Sequence, residues 1–298
     1  MSYTHLLQRI QKGLSTLELV HTSHPRWPLP AHPSALPQTL HISVLDASFN
    51  PPTLAHLALA NSLPPQTSPG YPPDFDARLL LLSVRNADKQ LKPTDATYEQ
   101  RIEMLVLLAH DLARSSARSV PDAAPHEANV AVALIDEPTF VGKSALLRTA
   151  LSARLAALLA PDLPAQSLTF LMGTDTVVRL FAPRYYPSER AMHAALRRFL
   201  GPDTSAGADG SRIVCARRVS RAVPRAEEER AEREMAARAR EVVPGARLAF
   251  VDIGERECTF SSSEVRELVA KGDLSWKEMV TPSVAEYVVT NNLYVASS

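Results

Sequence analysis

Cysteine is almost missing from this chain. Cys215 and Cys258 are the only two in 298 residues, and their separation matches no metal-ligand spacing, so the expectation is a pair of buried thiols in a reducing compartment. Net charge is missing as well. The 32 lysines and arginines balance 32 aspartates and glutamates, which argues against a generic polyanion binder and against a nucleic-acid partner, while leaving room for a local anion pocket. No stretch approaches the roughly 20 apolar residues needed to cross a bilayer. The segment from Met1 to Lys12 lacks the apolar core of a secretory signal. A soluble protein of the cytoplasm or nucleus, with no membrane partner, is therefore expected. There is no internal repeat and no sustained heptad pattern. What the chain does have is 45% apolar residues, enough to fill a sizeable core.

Along the chain, Tyr3 to Val20 carries helical periodicity through Leu6, Leu7, Ile10, Leu14, Leu17 and Leu19. A proline- and histidine-rich stretch from His21 to Pro37 follows and reads as a surface strap. Apolar runs then alternate with helical patterns. Strands are expected at His41–Leu45, Arg78–Ser83, Val130–Ile135, Leu168–Met172, Arg212–Ala216 and Leu248–Ile253. Helices are expected near Thr53–Asn61, Tyr98–Ala113, Lys143–Leu159, Ser262–Ala270 and Ser283–Thr290, with two short ones after Met172. Short apolar runs separated by helices imply a doubly wound parallel sheet of five or six strands, with helices on both faces. The organisation read from this is an N-terminal helix and strap over 1–38 and one α/β domain over 39–298. In such sheets ligands bind beyond the carboxyl ends of the strands, where strand order reverses. Arg114 to Glu127 is small, polar and proline-punctuated, hence a loop. Arg225 to Val243 reads as a solvated helix laced with charge pairs.

One turn carries chemistry: Ser48-Phe49-Asn50-Pro51-Pro52-Thr53-Leu54-Ala55-His56. It follows the first strand of the domain and opens a helix. Thr53 and His56, three residues apart, place two donors on one face of the first helical turn. The helix N-terminus adds unpaired N–H groups and partial positive charge. Together these make a phosphate pocket. The plainer account is that Thr53 is an N-cap and His56 a polar residue near a helix start. Local chemistry alone leaves both open.

Ser48 to His56 resembles the signature of the adenylyltransferases that make NAD and of the wider nucleotidyltransferase superfamily, in which a first strand is followed by Gly-x-Phe-x-Pro and then His-or-Thr-x-x-His. Three further segments resemble the same family in the same order: Leu171-Met172-Gly173-Thr174-Asp175, Phe260-Ser261-Ser262-Ser263-Glu264-Val265-Arg266, and Val280-Thr281-Pro282 through Tyr294. The proline-rich start and Glu137 to Ser144 are similar to a fungal subgroup of nicotinamide mononucleotide adenylyltransferase-like proteins. The resemblance implies a Rossmann-like fold and roles for matching positions. His56 is implied to bind the α-phosphate, and Thr53 to donate to phosphates. Ser48 and Phe49 belong to the nucleotide-binding turn. Lys89, with Lys92 as the alternative, is implied to contact phosphate. Ser262, Ser263 and Arg266 are implied to hold the ATP phosphates, Asp175 to accept from ribose hydroxyls, and Gly173 to let the backbone approach the nucleotide. The implied reaction joins the AMP part of ATP to nicotinamide mononucleotide, giving NAD and pyrophosphate, with Mg2+ carried on the ATP phosphates. Alternatives are transfer to nicotinate mononucleotide or a phosphopantetheine compound, or a nucleotide-binding regulator and weak ATPase that has lost transfer.

Departures from the pattern are equally specific. Asp46-Ala47 stands where the family has glycine, and a carboxylate there repels phosphate unless it faces away. The tryptophan that commonly stacks on the nicotinamide ring is missing after the third strand, leaving Phe140, Tyr185 or Tyr186 as substitutes. Val141-Gly142-Lys143-Ser144 looks like the end of a P-loop, but the required glycine five residues earlier is Glu137.

Overall fold

The computed structural model describes residues 3–31, 36–63, 70–84, 94–116, 128–159, 163–202, 207–217 and 225–296. Its centre is a seven-stranded sheet of strands β1 (Leu17–Thr22), β2 (Thr39–Asp46), β3 (Ala77–Ser83), β4 (Val130–Ile135), β5 (Ala165–Gly173), β6 (Arg212–Ala216) and β7 (Leu248–Val251), in the order β1-β4-β3-β2-β5-β6-β7. The pairs from β4 across to β7 are parallel, and β1 lies antiparallel on β4 with Leu17 opposite Ile135. The expected wholly parallel sheet of five or six strands is thus corrected to a mixed, mostly parallel sheet of seven.

The extra strand comes from the segment read as one long helix. Helix α1 (Tyr3–Gln11) stops early because Gly13 sits at φ 68°. In that left-handed conformation, open to glycine at little cost, the amides of Gly13 and Leu14 turn back to the carbonyls of Ile10 and Arg9. The chain then extends as β1, and Leu17 and Leu19 pack on one face of the sheet while Val20 packs on the other. The strap beyond it is not purely a surface feature. Trp27 and Leu29 are buried in the main core. The Asn129 side-chain amide donates to the carbonyls of Pro28, Leu29 and Asp76 at 2.8, 3.0 and 3.1 Å, fastening the strap to the start of β4.

Parallel strands buried on both faces need apolar side chains in both directions, and β3 and β4 supply them. Ala77, Leu79 and Leu81, with Ala131, Ala133 and Ile135, meet helices α4 (Phe140–Leu158), α5 (Thr174–Leu180), α6 (Glu189–Leu200) and α7 (Arg225–Val242). Leu80 and Leu82, with Val130, Val132 and Leu134, meet α1, α2 (Leu54–Asn61) and α3 (Tyr98–Ser116). A third, smaller core gathers Met104 of α3, Val265 of α8 (Ser262–Ala270), Val284 and Val288 of α9 (Pro282–Thr290), Trp276 and the tail residues Leu293 and Tyr294. Helix α7 is the solvated helix expected, with Arg225–Glu229 and Arg230–Glu234 pairs four residues apart and only Ala239 and Val242 buried. Of the loop read over Arg114–Glu127, the first residues continue α3 and 117–127 lie outside the described residues.

Candidate active site

From β2 the chain proceeds outward on one side to β3 and β4, and from β5 it proceeds outward on the other side to β6 and β7. Strand order therefore reverses between β2 and β5, and a crevice opens beyond their carboxyl ends. Two of the segments read from sequence fall at that point: residues 47–53 leaving β2, and Gly173–Asp175 leaving β5.

Phe49 enters the turn at φ 45°, unusual for an aromatic residue, and is fully buried, its ring centroid 5.1 Å from that of His56. It is a packing residue that backs the histidine. Thr53 caps α2 and is itself fully buried. Its backbone N–H donates to His56 Nδ1 at 3.0 Å, and its hydroxyl lies 2.9 Å from the same nitrogen. An amide N–H can only donate, so Nδ1 is an acceptor and the neutral ring carries its proton on Nε2. Burial pushes the His56 pKa down to about 4, which keeps the ring neutral at physiological pH. Threonine and histidine thus form the reciprocal pair of a helix cap, and the capping geometry fixes the tautomer.

Around the turn lies a buried polar network. Asn50 Nδ2 donates to Asp95 Oδ1 at 2.7 Å. Its Oδ1 accepts from the Ala96 amide at 3.2 Å and from the Tyr294 hydroxyl at 2.9 Å. Asp95 also faces Arg101 at 3.6 Å and Arg266 at 3.7 Å. Arg266 donates from Nη1 to the Asn50 carbonyl at 2.5 Å and from Nη2 to Ser263 Oγ at 3.3 Å. The Ser262 hydroxyl donates to the Pro51 carbonyl at 2.7 Å. The first turn of α8 is therefore docked directly onto the signature turn, bringing Ser262, Ser263 and Arg266 to it.

The other candidates are placed as follows. Ser48 is half-buried in the turn, and Asp175 is exposed in the first turn of α5. A Cβ on Gly173 would meet nothing within 4 Å, so the space before this residue is open. Lys89 and Lys92 lie outside the described residues. Phe140 packs edge-on to Phe170 and Tyr186 donates to the Leu180 carbonyl at 2.8 Å, so both serve the core; Tyr185 is exposed. The carboxylate of Asp46 does not face the crevice unaccompanied: Lys143 Nζ donates to Oδ2, and the Ser83 hydroxyl to Oδ1 at 3.2 Å. Sequence reasoning missed Asn50, Asp95, Arg101 and Tyr294 as functional candidates. Asn50 and Tyr294 sat inside motifs already singled out, whereas nothing in the sequence marked Asp95 or Arg101.

With this geometry in place, comparison with known proteins adds a relation. A curated relative from Schizosaccharomyces pombe (strain 972 / ATCC 24843), named "Putative nicotinamide mononucleotide adenylyltransferase", is 32% identical over 158 residues, 53% of this chain and 49% of that protein. The similarity is confined to that stretch of 158 residues. It spans about half the length of the curated relative it matches. No family model matches the chain. Two solved structures of the Plasmodium falciparum nicotinic acid mononucleotide adenylyltransferase, complexed with APC and with NaAD, align at 14% identity with a TM-score of 0.47, covering 86% of this chain and 97% of theirs.

Proposed function

We propose that this protein transfers the adenylyl group of ATP to the phosphate of a pyridine mononucleotide, nicotinamide or nicotinate, releasing pyrophosphate. The observation that carries the reading is the His56 ring. Thr53 fixes it with Nδ1 as acceptor, which leaves Nε2–H as the ring's donor, on the first turn of the helix that follows β2 beside the switch point. In the reaction an oxygen of the acceptor phosphate bonds to the α-phosphorus of ATP while the bond to the bridging oxygen of pyrophosphate breaks. No protein nucleophile takes part. The enzyme's work is orientation and stabilisation of charge growing on the non-bridging α-oxygens. His56 Nε2–H supplies that stabilisation, and Thr53 keeps the ring in place. The open space before Gly173 suits close approach of a nucleotide, Asp175 an acceptor for its ribose, and Ser262, Ser263 and Arg266 the remaining phosphates.

Magnesium enters on the phosphates of ATP and supplies charge neutralisation when bound. The ion would be held by the substrate phosphates and water. The pyridine acceptor is supported by similarity to the Schizosaccharomyces pombe protein. The objection raised by Asp46 is met by Lys143, which neutralises it.

The test is incubation of the purified chain with Mg-ATP and each pyridine mononucleotide, followed by chromatography for the dinucleotide and assay of pyrophosphate. Dinucleotide formation that falls on the order of 10²–10³-fold in His56→Ala is expected. Absence of dinucleotide with both acceptors, or wild-type rates in His56→Ala, would sink the reading.

A further inference from the structure

Three non-glycine residues among those described hold a positive φ: Phe49 at 45°, Asn292 at 49° and Tyr294 at 63°. For L residues, and most of all for bulky aromatics, this backbone is disfavoured, and its cost has to be offset by surrounding structure. The three lie in two segments far apart in sequence, the signature turn and the C-terminal tail. Those segments meet at one bond, from the Tyr294 hydroxyl to Asn50 Oδ1, 244 residues away. Asn50 immediately follows Phe49, the residue that backs His56. Its side chain is held from three directions, by Tyr294, by the Ala96 amide and by Asp95, and its carbonyl by Arg266. Apolar packing of Trp276, Val284, Val288 and Leu293 seats the tail, but none of those residues needs a hydroxyl aimed at the turn.

We propose that Tyr294, acting with Asp95 through Asn50, is a positioning residue for the phosphate turn: the tail sets where Phe49 and His56 stand, and the rate of transfer depends on that one hydroxyl. Tyr294 itself is buried. It acts through Asn50, which links it to the bend at Phe49 on one side and to Arg266 on the other. Burial raises the tyrosine pKa, so the hydroxyl remains a proton donor throughout the working range. Asp95 completes the device, because its carboxylate fixes the Asn50 amide and balances Arg101 and Arg266.

The catalytic part of this inference rests on the phosphate-transfer reading; its structural part does not, and the experiment separates them. Tyr294→Phe removes one oxygen and keeps the ring. In the full chain it is expected to lower kcat on the order of 10–100-fold with little change in either KM, and to move the His56 ring resonances in the NMR spectrum of the nucleotide-free protein. Val288→Ala is the control: it loosens the same small core without touching the network, and should lower the melting temperature while leaving kcat at 20 °C (about the stability maximum of a typical domain) and the His56 resonances in place. Asp95→Asn, which keeps the shape and removes the charge, should reproduce the Tyr294→Phe pattern and serves if that variant does not accumulate. Unmoved His56 resonances in Tyr294→Phe or Asp95→Asn overturn the proposal, as does a kcat loss in Val288→Ala equal to theirs. If the wild type transfers nothing while the His56 resonances move as described, the functional reading fails and the positioning device stands.

Discussion

The ammonium of Lys143 and the carboxylate of Asp46 are bonded to each other across 97 residues of chain, with side chains only 5% and 8% exposed. Lys143 lies in the first turn of α4, where the helix dipole disfavours a cation, and Asp46 is the last residue of β2. The ring of Phe140 lies 4.9 Å from the ammonium. Two features that look unrelated in sequence, a truncated P-loop resemblance and a carboxylate in place of glycine, are therefore two halves of one neutral pair.

Breaking that pair from either side strands a buried charge. Asp46→Asn or Lys143→Met alone should each cost about 3–5 kcal/mol, whereas Asp46→Leu with Lys143→Met together should recover most of the loss. Equilibrium unfolding in urea measures this. Equal losses in single and double variants would show that the two side chains do not compensate each other.

The depressed pKa of His56 has a consequence for stability. In the folded protein it titrates near 4, against 6.5 in the unfolded chain. Between those values the unfolded state binds more protons, so stability falls as pH drops from 6.5 toward 4, by up to about 3 kcal/mol from this group. His21 and His41, whose pKa values are also lowered, chiefly by burial, act in the same direction. His56→Gln should flatten the denaturation midpoint against pH over that window, and an unaltered slope would contradict the assignment. The acidic limb of kcat/KM that belongs to His56 is expected near 4 for the same reason.

Trp27 tests the strap. The side chain is 1% exposed within the main core, with the Arg154 guanidinium 6.0 Å above its ring and donating to the Trp27 carbonyl. Trp27→Ala should cost about 3–5 kcal/mol. A loss below 1 kcal/mol, the size expected of a surface residue, would show that the strap is not part of the cooperative unit.

How much of this was legible beforehand follows from which interactions are local. The signature turn was readable because strand, turn and helix start are contiguous, and its pairing of Thr53 with His56 spans three residues. The alternation of buried strands and helices was readable for the same reason. Strand β1 was not: the apolar spacing of Leu14, Leu17 and Leu19 fits a continued helix, and the stop signal was a single residue, Gly13, whose positive φ outweighs that periodicity. Asp95 and Arg101 were invisible because their partners are set by tertiary structure. The bond from Asn50 to Asp95 spans 45 residues and that from Asn50 to Tyr294 spans 244. Lys143 was seen only within a P-loop resemblance that Glu137 breaks, and its real partner was not, because Asp46 lies 97 residues away at the end of β2.

The antiparallel strand β1 also decides what the outer margin of the sheet offers to other molecules. All six residues of β4 are buried, and β1 supplies its hydrogen-bonding partner on the free side. A chain begun at Thr39 would present Val-Ala-Val-Ala-Leu-Ile as a naked border, with open amides and carbonyls flanked by aliphatic side chains, the combination through which copies of a protein stack into aggregates. Strand β1 acts, in that sense, as a cover for the sheet, and its loss is expected to cost solubility as well as stability.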